Sequence, residues 1–173
     1  MTTTTTPPFV AVLMGSDSDL PTMQGCFATL KLLAVPFEVK ITSAHRTPQA
    51  THDYVTSAEA RGCAAFICAA GLAAHLAGAV AAITVRPVIG VPMDGGPLQG
   101  QDALLSTVMM PGGIPVATVA IGKAGAKNAA YLAAQIIAVE DKALEQRLCA
   151  ERAANAEAIA AKDAAVQQQF SPS

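Results

Sequence analysis

The chain has 173 residues, enough for one domain with its own core, since about 150 residues can already remove roughly 70% of the unfolded surface from water. The formal net charge is −2, from 11 Lys+Arg and 13 Asp+Glu, so there is no basic stripe of the kind that nucleic-acid binding requires. Charged residues are only 14% of the chain and hydrophobic residues 52%; a lone domain so poor in charge leaves apolar surface wet, and the composition points to a homo-oligomer.

Met1–Pro8 is a threonine run closed by two prolines. It lacks the charged start and apolar middle of a signal peptide and reads as a disordered lead. No apolar run reaches the roughly 20 residues of a membrane helix without Gly, Pro or a charge interrupting it. The four cysteines, Cys26, Cys63, Cys68 and Cys149, form no C-x-x-C pair and have no histidine at zinc-ligand spacing. They read as small buried residues in a reducing cytosol rather than as catalytic thiols.

In chain order, Phe9–Met14 is an apolar run broken by Gly15. Pro21 suits the first turn of a helix reaching Leu33, with Ser18 or Asp19 as its cap. Phe37–Ile41 is a second strand. Pro48 begins a second helix that ends near Arg61, before Gly62. Ala64–Ala69 is a third strand, Ala73–Ile83 a helix, and Val88–Val91 a fourth strand. A loop rich in Gly and Pro, Pro92–Gly100, leads to a helix over Ala103–Met110. Val116–Ile121 is the fifth strand. A long helix over Ala124–Ala150 and a second Ala-rich helical stretch over Glu151–Gln169 follow, on alanine's high helix propensity. The tail from 151 to 173 has no strand to join and is expected to pack on a neighbouring subunit or to stay partly exposed.

Near-continuous apolar strands alternating with helices predict a parallel sheet covered on both faces, a three-layer α/β domain. Ligands of such sheets bind outside the carboxyl ends of the strands. That rule puts GSDSD, SAHRTP, AGLAAH and PMDGGP, the four stretches after strands one to four, on one rim. In GSDSD (Gly15–Asp19) the hydroxyls of Ser16 and Ser18 and free N–H groups suit an anion, and a carboxylate can hold ribose hydroxyls. A plain cap with acids at the positive end of the helix dipole is the alternative. The stretch is neither a Walker loop nor G-x-G-x-x-G, so neither ATP nor NAD is inferred.

SAHRTP (Ser43–Pro48) is sharper. Arg46 offers a planar fork matched to phosphate, with Ser43 and Thr47 as further hydrogen-bonding groups. His45 carries the one nearby group whose ordinary pKa, about 6.5, permits proton transfer both ways near neutrality. Ala70–Gly78 supplies small residues for close backbone approach, and His75 in that stretch reads locally as a buried histidine donating to a backbone carbonyl. His52 reads as solvent-facing. Asp94–Gly96 and Pro111–Gly113 are a lid and a turn, or tight connections only. Lys123 is either a phosphate partner or an unliganded helix-start lysine, while Lys127 and Asn128 are assigned to packing or subunit contacts. The set has no metal-ligand cluster. It suits a phosphorylated polar small molecule and proton transfer at carbon or nitrogen.

MGSDSD (Met14–Asp19), SAHRTP, AAHL (Ala73–Leu76) and MPGGIPVATVAIGKAGAKNAA (Met110–Ala130) together resemble the PurE family of purine biosynthesis, over about Val10–Leu148. The resemblance implies a flavodoxin-like catalytic domain over 9–150, an extra C-terminal helix and a cytoplasmic homo-octamer with sites where subunits meet. It implies N5-carboxyaminoimidazole ribonucleotide mutase activity without metal or organic cofactor. By motif, Gly15, Ser16, Ser18 and Asp19 would bind substrate, with Asp19 on the ribose. Ser43 and Arg46 would hold the phosphate, and His45 would be the general acid and base. Ala70, Gly71, Leu72, Ala73, Ala74 and His75 would shape a carboxylate pocket.

Three positions depart from the family pattern: Ala77 stands for a proline, Asp94 lies in an unusual loop, and Met109 replaces a glutamine. Relatives that use free CO2 as aminoimidazole ribonucleotide carboxylases tend to carry Lys after the histidine, so Arg46 favours the mutase. A receiver-type signalling module would need a phosphorylatable Asp ending strand three, where this chain has Ala69–Gly71. A ribonucleotide-binding paralogue without catalysis is opposed by the presence of His45.

Overall fold

The computed structural model describes residues 7–170; most of the expected N-terminal lead, residues 1–6, lies outside the described residues. Five parallel strands form one sheet in the order β2-β1-β3-β4-β5, the flavodoxin order. They are β1 (Phe9–Met14), β2 (Phe37–Ile41), β3 (Cys63–Ala70), β4 (Val88–Pro92) and β5 (Ala117–Thr118). The helices are α1 (Leu20–Leu32), α2 (Pro48–Ala60), α3 (Leu76–Ala81), α4 (Gln101–Val108), α5 (Gly122–Ala138) and α6 (Lys142–Phe170). Among the described residues no helix is long and apolar enough to cross a membrane.

Every residue of β1 is buried, because β1 lies inside the sheet and both of its faces are covered. Val10, Val12 and Met14 join α1, α5 and the start of α6 in one core. Phe9, Ala11 and Leu13 join α2 and α3 in the other. The period of two along the strand thus divides one apolar run between two cores. Phe27 of α1 stacks on Phe37 of β2 at 5.8 Å, closing the first core beside the sheet edge. β2 is that edge, and its exposed side carries charge: the Arg61 guanidinium pairs with the Glu38 carboxylate, which also accepts from Tyr54. The hydrogen bond from Arg61 holds the Glu38 carboxyl below the ordinary range. Charge on an edge strand opposes pairing with another chain.

Three elements differ from expectation. The fifth strand is two residues long rather than Val116–Ile121: only Ala117 and Thr118 pair, with Ile89 and Gly90, and one further bond runs from the Val119 N–H to the Gly90 carbonyl. The helix after β3 begins at Leu76 rather than Ala73, because Leu72 takes a positive φ of 56° and turns the chain first. The long helix expected over Ala124–Ala150 is two helices. The Asp141 carboxylate accepts from the Leu144 N–H at 3.0 Å and so starts a new one, as a helix N-cap does. The helical stretch expected from Glu151 is therefore the continuation of α6. Leu144 and Leu148 anchor α6 in the core, and Arg147 Nε donates to the Leu33 carbonyl at 2.8 Å. From Arg152 to Phe170 every residue is exposed. Cys26, Cys63 and Cys68 are buried as expected; Cys149 is exposed on α6, a correction. Burial pushes the Cys26 thiol up to about 12 and the Cys63 thiol up to about 11, which keeps both unreactive.

The turn into α5 is tightly constrained. A Cβ on Gly125 would run into the Ala120 carbonyl oxygen. Helix propensity alone favours alanine over glycine by about 1 kcal/mol. We expect Gly125→Ala to reverse that sign and destabilise the fold by about 1–3 kcal/mol. The check is the denaturant midpoint at unchanged slope; an unchanged or higher midpoint would contradict the packing argument.

Candidate active site

A cleft of about 520 Å³ opens at the carboxyl end of the sheet, within the size range of small-molecule sites. The loops after β1, β2, β3 and β4 all line it. Backbone hydrogen bonds keep these loops in step. The Thr42 N–H donates to the Met14 carbonyl, Gly15 to Ala69, and Met93 to Ala70, each at 2.9 Å.

After β1 the chain makes a single 3₁₀ turn over Asp17–Asp19, with Ser16 as its cap. The Ser16 hydroxyl accepts from the Ser18 N–H at 3.2 Å and from the Ser18 hydroxyl at 2.9 Å. Neither Ser18 nor Asp19 caps α1 through its side chain, contrary to expectation; the cap interaction lies one turn earlier. Asp19 is half-buried at the cleft wall. Burial raises its carboxyl above the ordinary carboxylate value, and the neighbouring Asp17 charge adds to that against a backbone hydrogen bond from Ser16.

The turn after β2 is held by threonines. Thr42 and Thr51, both buried, share a 2.7 Å hydroxyl contact, and Thr42 reaches Thr47 at 3.2 Å. The Ser43 N–H donates to the Thr47 hydroxyl at 2.9 Å, and the Arg46 N–H donates to the Ser43 hydroxyl at 3.2 Å. Ser43 and Thr47 thus brace the turn as well as facing outward. Among the described residues the Arg46 guanidinium makes no hydrogen bond or ion pair. A planar set of unpaired donors stands at the rim, suited to a phosphate.

The loop after β3 gives the second correction. His75 is exposed, not buried, and its partner is a side chain rather than a backbone carbonyl: His45 Nε2 lies 2.8 Å from His75 Nδ1. Ala70, Gly71, Leu72 and Ala73 line the cleft with His75. Ala74 does not; it is buried behind the loop, where its carbonyl accepts from Thr107 at 3.5 Å.

The structure adds Thr22, Ala44, Leu76 and Met93 to the lining, together with Asp94, Gly95 and Gly96 of the suspected lid. Thr22 carries no signal in sequence, because it is ordinary in its helix, whereas Met93 follows β4 in the PMDGGP stretch already assigned to the rim. Gly96 has a positive φ of 84° and lies against the Leu72 side chain, so the loops after β3 and β4 meet across the mouth. Lys123 is exposed and outside the lining. Lys127 and Asn128 face a separate groove between α5 and α6. His52 is exposed, as expected. Among the described residues no three His, Cys, Asp or Glu side chains converge as a metal site would need.

The raised Asp19 carboxyl has a consequence for stability. A carboxyl with a raised folded-state pKa favours folding below its unfolded value and loses that contribution as pH rises through the folded value. At neutral pH, Asp19 therefore works against the fold. We expect Asp19→Asn to melt at a higher temperature than the parent at pH 7, with the difference shrinking toward pH 4. A lower melting temperature at pH 7 would refute this.

The AIR carboxylase family model matches residues 9–158. A relative from Escherichia coli (strain K12), named N5-carboxyaminoimidazole ribonucleotide mutase, is 52% identical over 148 residues, covering 86% of this chain and 88% of its own. A protein of the same name from Synechocystis sp. is 54% identical over 145 residues, covering 84% and 81%. One from Mycobacterium tuberculosis (strain H37Rv) is 49% identical over 161 residues, covering 93% and 91%. The crystal structure of Treponema denticola PurE superposes with a TM-score of 0.84 at 30% identity, over 92% of this chain and 99% of that one. With the family model matching residues 9–158 and these relatives about half identical over most of the chain, this protein belongs to the AIR carboxylase family, the PurE family.

Proposed function

We propose that the protein is an isomerase of purine biosynthesis, converting N5-carboxyaminoimidazole ribonucleotide to 4-carboxy-5-aminoimidazole ribonucleotide. The observation that carries this is the meeting of His45, Arg46, Ser16, Asp19 and His75 in one cleft, in a chain about half identical to proteins named for that reaction.

Arg46 holds the phosphate with Ser43, and Asp19 takes the ribose hydroxyls with Gly15, Ser16 and Ser18 beside it. The imidazole ring then lies toward His45. His45 gives a proton to the exocyclic nitrogen as its bond to the carboxylate breaks, which leaves aminoimidazole ribonucleotide and CO2. The CO2 stays against the small residues Ala70–Ala73 and His75. Ring carbon 4 attacks it, and the proton on that carbon returns to His45. One N–C bond breaks, one C–C bond forms, and the proton count balances without an organic cofactor or metal. Holding CO2 and the ring together replaces a bimolecular encounter with a local one, and a closed, dry site prevents escape.

A homo-octamer in the cytoplasm completes the proposal, with no nucleic-acid or membrane partner. The exposed apolar residues support an assembly: Val85, Leu105, Val108, Met109 and Ile114 on the α3–α4 side, and Ile159, Val166 and Phe170 along α6. Light scattering is expected to give eight copies of the 17.5 kDa chain; a monomer at micromolar concentration would rule this out.

The family model's description, AIR carboxylase, favours one second reading: carboxylation of aminoimidazole ribonucleotide by free CO2. A spectrophotometric assay separates the two. Fast product from N5-carboxyaminoimidazole ribonucleotide alone establishes the mutase. Efficient product from aminoimidazole ribonucleotide with low bicarbonate and no ATP moves the protein to the carboxylase. His45→Asn is expected to fold and bind, yet lose about 10²- to 10⁴-fold in kcat. Arg46→Ala is expected to raise KM more than it lowers kcat.

A further inference from the structure

Two imidazoles meet in the cleft, and their contact constrains where their protons sit. His45 Nε2 and His75 Nδ1 are 2.8 Å apart. The rings meet edge-on, with centroids 4.9 Å apart and planes at 80°. Two bare lone pairs at that distance repel, and so do two N–H groups, so the contact holds one proton. Among the described residues neither ring makes another hydrogen bond. His45 Nδ1 and His75 Nε2 therefore remain open, in a cleft that both rings line.

The shared proton links the two open ends. When it sits on His75, His45 Nε2 accepts, and a neutral His45 carries its own proton on Nδ1 as a donor. When it sits on His45, Nδ1 of a neutral His45 is bare and acts as a base. We propose that His75 is the positioning residue of His45, switching its open nitrogen between acid and base by moving the proton they share. The proposal rests on the acid–base role of His45 set out above.

The cycle balances. The pair starts with one positive charge and three N–H groups: His45 Nδ1–H, the shared proton on His75 Nδ1, and His75 Nε2–H. His45 Nδ1–H goes to the exocyclic nitrogen of the substrate, and the shared proton crosses to His45 Nε2. The pair is then neutral, with a bare His45 Nδ1. That atom takes the proton from ring carbon 4, and the shared proton returns to His75. Neither ring passes through an imidazolate, which a neutral histidine donating alone would have to form. The charged groups of the same cleft are Arg46 beside His45, Asp19 at the start of α1, and Asp94 after β4. None of them hydrogen-bonds to either ring; they act on the pair only through their charge.

The test compares His75→Phe, which keeps an edge-on ring without nitrogen, with His75→Asn, which restores one polar partner, in the full chain. His75 is exposed, so both variants are expected to fold, and melting temperature controls for this. His75→Phe is expected to lose about 10²-fold in kcat with KM within about threefold. His75→Asn is expected to recover at least about tenfold of that loss. In 15N-histidine-labelled protein, the wild-type His45 nitrogens are expected to shift together with those of His75 on titration, and His75→Phe to leave His45 as a mixture of independent tautomers. His75→Phe at near-wild-type kcat while His45→Asn is dead would overturn the pair. A loss confined to KM would leave His75 with its ligand contact alone and overturn the pair too. A fully active His45→Asn is a different failure: it removes the acid–base reading, and the pair falls with it.

Discussion

The pairing of β1 with β3 is the contact on which the rest depends. Both strands are buried on both faces, and parallel neighbours require a crossover connection rather than a hairpin. Each crossover returns the chain to the same end of the sheet. Four loops therefore leave from one rim, whatever their composition. The backbone bonds Thr42 to Met14, Gly15 to Ala69, and Met93 to Ala70 extend the ladder to the first residues of the loops. That extension fixes the site: loop residues near the last ladder bond inherit the rigidity of the sheet.

Within each loop the polar groups divide their work. Ser16, Ser43, Thr47 and the buried Thr42–Thr51 pair spend hydrogen bonds on shaping turns. Among the described residues that use leaves the Arg46 guanidinium without a partner and the two imidazole rings hydrogen-bonded only to each other. The cleft also holds features that cost stability. Asp19 is half-buried beside Asp17, and Leu72 sits at a positive φ, a conformation that costs a non-glycine residue of order 1 kcal/mol or more. Such costs gather where a ligand is to be held, and the two dense cores on either side of the sheet offset them.

Much of the fold was readable because short strands and caps are local. β1 and β2 fall at the residues their apolar runs mark, and Pro48 starts α2 as its fixed φ suggests. The rim followed from topology, and SAHRTP stood out because it concentrates rare residue types in one turn. The failures are equally specific. Alanine favours helix at nearly every position from Ala124 onward, so propensity could not register the break that one carboxylate, Asp141, makes. β5 is shorter than its apolar run, since only Ala117 and Thr118 enter the ladder with β4, a pairing between distant segments that no local pattern records. Ala74 looks like its neighbours in AGLAAH, but the turn at Leu72 points it behind the loop.

The sequence by itself determined the layer architecture, the rim and the residue types gathered there, because these depend on periodicity, strand burial and the chirality of crossovers. Only the tertiary structure decided that His45 and His75, 30 residues apart in the chain, bring Nε2 and Nδ1 within 2.8 Å of each other. Locally, His75 looked like a core histidine. Its real partner arrives from another loop, across β1, and no pattern within either motif encodes a distance between them. Pair geometry between loops is a property of strand order and register, and it exists only once the sheet has formed.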